Sequence, residues 1–235
     1  MHPDSWFRRP KKAPFLTAPL FENTPLSIKS SIGILGVSIS DDIQFRYHLE
    51  GKATLASKKL GVLNRAKQYF RPEHLLLLYK AQIRPDMEYC SHLWAGAPQY
   101  QLLPLDSVQR RAVRVIGKQA LTDRLDPLGL RRDVASLCDF YRLYNGECSE
   151  ELFELIPAAE FHYRTARHKT KFHAHHLDLW RSSTVRFTRH FIPRTTKMWN
   201  SLPSAIFPDA YDIEAFKKRI YLHLKKSATH LRTHL

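Results

Sequence analysis

The 235-residue sequence has little cysteine, few acidic residues and no long apolar run. Its cysteines, Cys90, Cys138 and Cys148, are too few and odd in number for a disulfide framework. The longest apolar stretches, such as residues 75–79, are far too short to span a bilayer. The first residues are polar and punctuated by proline, unlike a secretory signal. We therefore expect an intracellular protein, in the nucleus or the cytoplasm, with no signal peptide, no transmembrane segment and no membrane partner.

The shortage of acidic residues leaves a large positive charge. Lysine and arginine number 37 against 22 aspartates and glutamates, which gives a formal net charge of +15. Hydrophobic residues make up 43% of the chain, a share typical of globular proteins rather than of disordered ones. Such an excess of cations favours a polyanionic partner, and nucleic acid is the first candidate. The alternative is a basic surface that serves only solubility.

Apolar residues recur at helical spacing over much of the chain, so we predict a mainly α-helical protein. The stripes of alternating three- and four-residue spacing cover residues 49–70, 75–83, 105–116, 130–144 and 213–224. Near-alternation of apolar residues between residues 32 and 39 predicts one short strand.

Prolines and glycines predict where these helices begin and end. Pro72 suits the first turn of a helix, and Pro85 predicts a break or kink. Gly117 and Gly146 are placed as helix C-caps. We expect residues 96–104 to form a loop.

Residues 158–200 combine cations with aromatic rings. The candidate nucleic-acid-binding cations here are Arg164, Arg167, Lys169, Lys171, Arg181, Arg186, Arg189, Arg194 and Lys197. Exposed aromatic side chains among them would stack on unpaired bases, and buried ones would belong to a core. Both interpretations stay open for Trp180 and Trp199. A second candidate group, Arg110, Arg111 and Arg114, projects from one side of a predicted helix.

Metal-binding and nucleophilic residue types are present without the spacing of a known site. The possible metal ligands are Cys138, Cys148, His168, His173, His175 and His176. No Cys-x2-Cys pair occurs, so we expect no metal. Cys90 and His92 are two residues apart and would not face each other on a helix, so we expect no catalytic residue there. We interpret the histidines as an extension of the basic surface that gains charge below about pH 6.5.

Several short blocks occur in a fixed order along the chain. They are Ile34-Leu35-Gly36-Val37-Ser38-Ile39 with Phe45 and His48, Leu60-Gly61-Val62-Leu63, Leu78-Tyr79-Lys80-Ala81 with Arg84-Pro85, Glu88-Tyr89-Cys90-Ser91 with Trp94, Gln109-Arg110-Arg111-Ala112, Leu130-Arg131-Arg132-Asp133 and Trp199-Asn200-Ser201-Leu202-Pro203. In this order they resemble the thumb and post-thumb region of non-LTR (LINE-type, jockey-like) retrotransposon reverse transcriptases. The resemblance covers residue 32 to the C-terminal helix.

This resemblance implies a helical thumb-like bundle with one or two short N-terminal strands, followed by a smaller basic helical C-terminal region. Residues 1–40 would form an extended palm-to-thumb connector with one short strand. Residues 41–118 would form the thumb-like domain, and residues 119–235 a basic, aromatic-rich C-terminal domain. The implied partner is RNA or an RNA–DNA duplex, bound through phosphate contacts, with no small-molecule substrate.

The resemblance also bears on catalysis, because reverse transcriptases hold two Mg²⁺ ions with palm aspartates. Asp41 and Asp42 follow an apolar segment, but no aromatic residue lies two positions before Asp41, and only Asp4 precedes the pair. The residues themselves fit a helix cap or a turn, and from the resemblance we interpret the pair as starting a helix. The chain is then a truncated enzyme without polymerase activity or a cofactor, and Mg²⁺ is expected only in a full-length parent. The alternatives are a host-retained protein-interaction scaffold and a translated relic without function.

Overall fold

The computed structural model describes residues 20–27, 29–156, 173–179 and 184–233. The chain divides into two compact units, residues 1–44 and residues 45–235. Short antiparallel strands form the described part of the first unit, and helices form that of the second. The mainly helical fold with short N-terminal strands, predicted from apolar periodicity, is confirmed. Within the described ranges, no helix is both long and apolar enough to cross a membrane.

The first unit contains two short hairpins. Its antiparallel pairs are β1 (Leu20–Phe21) with β2 (Thr24–Pro25), and β3 (Ser31–Ile34) with β4 (Val37–Ser40). The single strand predicted for residues 32–39 is therefore wrong, whereas the connector predicted for residues 1–40 stays a prediction. Leu35 and Gly36 have φ angles of 47° and 79°, the left-handed backbone of a two-residue hairpin turn. The turn reverses the chain inside the apolar run, so that Ile32 pairs with Ile39.

Asp41 and Asp42 lie in the turn that follows β4. The hydroxyl of Ser40 donates to the carboxylate of Asp42 and accepts from the backbone N–H of Gln44 at 3.1 Å. The first helix begins only at Arg46, and no side chain caps it. The prediction that the aspartate pair starts a helix is therefore wrong, because these residues close a turn around Ser40.

The second unit is built from helices of very different length. They are α1 (Arg46–Ala66), α2 (Pro72–Leu78), α3 (Arg84–Glu88), α4 (Ser91–Trp94), α5 (Gln99–Ile116), α6 (Gln119–Thr122), α7 (Leu128–Tyr144), α8 (Glu150–Phe153), α9 (Val185–Thr188), α10 (Phe191–Asn200) and α11 (Ile213–Thr233). Two 3₁₀ turns cover Lys67–Tyr69 and Ser204–Ile206, and a π-helical turn covers Tyr79–Ile83.

Most of the predicted helix ends are confirmed. Pro72 occupies the first turn of α2, and Gly117 and Gly146 have φ angles of 68° and 77° after α5 and α7. Pro85 lies in the first turn of α3, one residue beyond the start of that helix, and the π-helical turn precedes it, because a proline lacks the N–H and crowds the preceding turn of a helix. The loop predicted for residues 96–104 is wrong in part, since α5 begins at Gln99 and includes Pro104.

The first apolar core lies between α1, α2, the π-helical turn and α5. The predicted stripe of α1 faces it with Leu49, Ala53, Ala56, Leu60 and Leu63, all buried. Fully burying each leucine stabilises the fold by about 1.5–3 kcal/mol. The buried ring of Tyr79 donates from its hydroxyl to Oε1 of Gln109 at 3.0 Å. The side-chain amide of Gln109 also donates to the Asp126 carbonyl at 2.9 Å. The polar groups of Tyr79 and Gln109 are therefore hydrogen-bonded within the fold.

The second core surrounds Trp199, whose side chain is fully buried. Its indole N–H donates to the carbonyl of His175 at 2.7 Å, and its ring lies 5.2 Å from that of Phe140. Asn200 exchanges two hydrogen bonds with the backbone of Leu177, at 2.7 and 3.0 Å. Trp199 is therefore a core residue, whereas Trp180 lies outside the described residues.

Three consecutive charged residues of α7 tie it to three other helices. Arg131 pairs with Glu88 of α3, and Asp133 pairs with Arg194 of α10. Arg132, only 5% exposed, approaches Asp106 of α5 at 3.4 Å. Helix α7 thus connects the two cores within one compact unit. The domain boundary predicted between residues 118 and 119 stays a prediction.

Gly96 packs against the backbone that leads into α10. A Cβ there would lie 1.9 Å from the carbonyl oxygen of Arg189. Because a backbone atom yields little, we expect Gly96→Ala to lower the free energy of unfolding by about 1–3 kcal/mol. A methyl group added at Gly51 in α1 would have no neighbour within 4 Å, so Gly51→Ala should raise it by about 0.5–1 kcal/mol. Urea denaturation of both variants and the parent measures the two effects, and a Gly96 variant as stable as the Gly51 variant contradicts this packing.

Candidate nucleic-acid interface

Helices α1 and α5 run side by side in the same direction and leave a furrow on their solvent side. One wall consists of Thr54, Ser57, Lys58 and Asn64 of α1 with Lys67 of the following turn, and the other consists of Ser107, Arg111 and Arg114 of α5. We call this surface the α1–α5 furrow. Buried Ala53 and Leu60 lie beneath it, so it forms directly above the first core.

Helical spacing in the sequence explains why these side chains share one face. Pro104, Ser107, Arg111 and Arg114 follow one another at intervals of three and four residues on α5. The buried row of the same helix, from Leu102 through Val108 to Ile116, points into the core. The cations of α5 are therefore left at the surface by the same periodicity that buries its apolar face.

The cations of the furrow are mostly available for a ligand. Arg111 reaches across the furrow and donates to the hydroxyl of Ser57 at 2.6 Å. Lys58, Lys67 and Arg114 are exposed, and none of them makes an ion pair or a hydrogen bond with the described part of the chain. The acid in the lining is Glu50 at the amino end, which is paired with Arg46 at 3.0 Å.

The structure places the predicted arginines of α5 together at the surface. Arg110, Arg111 and Arg114 are all exposed. Arg110 lies beside the furrow rather than in it, and donates to Ser107 at 2.6 Å. Lys58 and Lys67 were not predicted as site residues. The helical spacing placed Lys58 opposite the core stripe and Lys67 at a stripe position that it interrupts, but only the packing of α5 on α1 shows that both face Arg111 and Arg114.

The C-terminal candidates do not form one group with these. Arg186, Arg189 and Lys197 are exposed on and beside α9 and α10. Arg194 is half-buried and paired with Asp133, so its charge is already used within the fold. The remaining predicted cations, Arg164, Arg167, Lys169, Lys171 and Arg181, lie outside the described residues.

The described histidines between residues 173 and 190 do not extend the basic surface as predicted. His175 stacks on Phe207 at a ring distance of 4.5 Å, and its Nδ1 lies 3.2 Å from the hydroxyl of Tyr144. His173 bonds to the Trp199 carbonyl at 3.2 Å. Burial lowers the pKa of both imidazoles, because a charged ring loses solvation there. They therefore act as neutral packing groups at neutral pH.

The described residues that were weighed for catalysis and metal binding have other contacts. Cys90 precedes α4 with a φ angle of 52°, whereas His92 turns its Nδ1 to Asp139 of α7 at 2.9 Å. Burial raises the pKa of Cys138 to about 11, so this thiol stays protonated at neutral pH. In the ranges that the structure describes, no group of three or more His, Cys, Asp or Glu side chains is arranged to hold a metal ion.

Several of the ordered sequence blocks contact one another in space. Tyr79 of one block bonds to Gln109 of another, and Glu88 of a third accepts from Arg131 of a fourth at 2.8 Å. The hydrogen bond from Tyr79 to Gln109 therefore helps to position α5, and with it Arg111. Comparison with protein-family models, curated proteins and solved structures gave no match to this chain.

We predict that acid destabilises the fold through the half-buried imidazoles of His173 and His175. Their pKa in the folded chain lies below the value of about 6.5 in the unfolded chain. As the pH falls, the unfolded chain binds protons first. The stability contributed by neutral His173 and His175 is thus complete above about pH 6.5 and is lost as the pH falls toward their folded pKa. Urea denaturation between about pH 7 and 5 measures this loss.

The variant His175→Gln should show a smaller loss of stability over the same pH range. The matched control is His74→Gln, since His74 is exposed on α2, and it should keep the pH dependence of the parent. If His175→Gln and the parent lose the same free energy of unfolding, the neutral imidazole is not the cause.

Proposed function

We propose that this chain is a nucleic-acid-binding module equivalent to the thumb and post-thumb region of a non-LTR retrotransposon reverse transcriptase. It binds RNA or an RNA–DNA duplex through phosphate contacts, in the nucleus or the cytoplasm, and does not polymerise DNA by itself. The observation that carries this proposal is the α1–α5 furrow, whose walls present Lys58 and Lys67 opposite Arg111 and Arg114.

Phosphates are the groups that this furrow fits best. Lysine and arginine side chains neutralise phosphates and release their counterions, which supplies affinity that is independent of base sequence. Arg111 is already held across the furrow by Ser57, so less side-chain freedom is lost when it binds. Thr54, Ser57 and Asn64 add neutral donors, which commonly bind phosphate and sugar oxygens.

The resemblance to reverse transcriptases supports the same surface independently of the charge. The block Gln109-Arg110-Arg111-Ala112 places Arg111 in the furrow. The block Leu60-Gly61-Val62-Leu63 supplies Gly61 to the opposite wall, where the missing side chain leaves room. Two of the blocks that resemble the family therefore build the furrow, which is the part of the structure that we assign to nucleic acid.

A second candidate function is a protein-interaction scaffold. Leu55 and Val62 of α1 are exposed, and apolar groups on an outer helix face favour a protein partner. Association with a protein through this face would depend little on salt, whereas binding to phosphates depends on it steeply.

The proposal predicts that reversing two charges in the furrow weakens binding more than reversing two elsewhere. In Arg111→Glu/Arg114→Glu the net charge falls by four from +15 to +11, and the same holds for Lys218→Glu/Lys226→Glu on α11. The first pair should lower the slope of log affinity against log salt by about 1.4–1.8, for two lost phosphate contacts. The α11 pair should keep the slope of the parent.

Titration of the folded chain with an RNA hairpin, single-stranded RNA and a DNA duplex at several salt concentrations measures these slopes. Circular dichroism checks that each variant folds. Equal losses in both variants would mean that only total charge matters. A folded parent that binds none of the three nucleic acids at low salt would overturn the proposal.

A further inference from the structure

Exposed tyrosines stand at the amino end of the α1–α5 furrow. On α5, Tyr100 precedes Pro104, Ser107 and Arg111 at intervals of four and three residues, so it continues the wall of the furrow. Its ring is 65% exposed. The buried amide of Gln101 donates to the phenol oxygen at 3.1 Å, which holds the ring in place.

Tyr47 occupies the corresponding place on α1. It lies seven and eleven residues before Thr54 and Lys58, on the same side of the helix, and is 70% exposed. The hydrogen bond from Arg46 to Glu50 is the main reason that the pKa of Arg46 is raised, and the phenols of Tyr47 and Tyr100 add to it. Tyr47 precedes the lining residue Glu50 on α1, and Tyr100 precedes the lining residue Pro104 on α5, so both lie at the amino end of the furrow.

A third exposed tyrosine lies in the turn that follows the carboxyl end of α1. Tyr69 follows Lys67 by two residues and is 79% exposed. At about 1.5 Å per residue, the helical path from Tyr47 to Tyr69 is about 33 Å long. The cations of the furrow lie between these two positions.

Phosphate binding does not explain the exposed aromatic rings of these tyrosines. Phosphate contacts need cations and donors, and they are equally possible on duplex and single strand. A flat aromatic ring held in the open instead offers a stacking surface to a base. In a duplex the faces of the bases are already covered by their neighbours, so only an unpaired base presents one.

We propose that the α1–α5 furrow selects single-stranded nucleic acid. Unpaired bases stack on Tyr47 and Tyr100 at the amino end and on Tyr69 at the other end. The phosphates between them lie along Lys58, Arg111 and Arg114. This inference rests on the proposed nucleic-acid binding and goes beyond it, because it names unpaired bases as the feature that is recognised.

The test compares two probes on the full chain, a single-stranded RNA of about 12 nucleotides and a blunt RNA duplex of the same length, a size within the range of about 4–16 nucleotides for single-strand sites. The parent should bind the single strand more tightly. Tyr47→Leu/Tyr100→Leu should weaken single-strand binding by about fivefold or more and leave duplex binding unchanged. The corresponding phenylalanine variant should keep most of the affinity, since its rings still stack.

Tyr89→Leu is the matched control, because Tyr89 is also exposed, at 47%, and does not line the furrow. It should bind both probes as the parent does. Unfolding curves show whether each variant folds, and the comparison of the two probes on the parent needs no variant at all. A parent that binds the duplex as tightly as the single strand overturns this inference.

The same experiment separates the inference from the proposed function. If Arg111→Glu/Arg114→Glu weakens both probes while the leucine variant changes neither, stacking is overturned and phosphate binding in the furrow stands. If the folded parent binds neither probe at low salt, both are overturned.

Discussion

The arrangement of helices depends on the charge contacts of α7. Arg131, Arg132 and Asp133 follow one another in sequence, and each points to a different neighbouring helix. An arginine as buried as Arg132 is costly unless its charge is compensated, so Asp106 must stay within reach. Since Asp106 belongs to α5, the position of α5 relative to α7 is fixed by the need to satisfy this charge. The two apolar cores are consequently held in one arrangement by polar contacts at their junction.

The furrow depends indirectly on this constraint, through the position of α5. Helix α5 is held from within by Gln109, which links it to Tyr79 and to the backbone at Asp126. Helix α1 then packs on α5 through its alanine and leucine stripe. The small residues Ser57 and Gly61 leave space above that contact. Cations at the rim are thus supported by a buried and fully bonded scaffold, which is the condition for a rigid binding surface.

Much of the helical framework could be predicted from the sequence, because burial imposes its period on the apolar residues. The stripe of α1 was found in this way, and the C-caps after α5 and α7 were found from their glycines. The hairpin at Leu35 was missed because leucine rarely has a positive φ angle. An apolar run that contains it therefore gives no sign of a turn. The aspartate pair was misread as the start of a helix, since a capping sequence and a turn closed by Ser40 use the same residue types.

The candidate site was predictable only in part. The arginines of α5 could be placed on a surface from their spacing alone. Lys58 and Lys67 belong to the site only because α5 packs beside α1. No local sequence pattern predicts which helix packs there. The histidines around residue 175 were misjudged for a related reason, since their burial comes from Phe207 and Tyr144, which lie far away in sequence.

Because α1 and α5 point the same way, the furrow has unlike ends. Both helices direct the positive end of their dipoles toward Tyr47 and Tyr100, where the partial charges offset the carboxylate of Glu50. The opposite end holds Arg114 and Lys67, whose charges are not offset by a nearby acid in the lining. A nucleic-acid strand also has unlike ends. If nucleic acid binds there as proposed, its two possible directions in the furrow differ in energy, and one strand polarity is preferred.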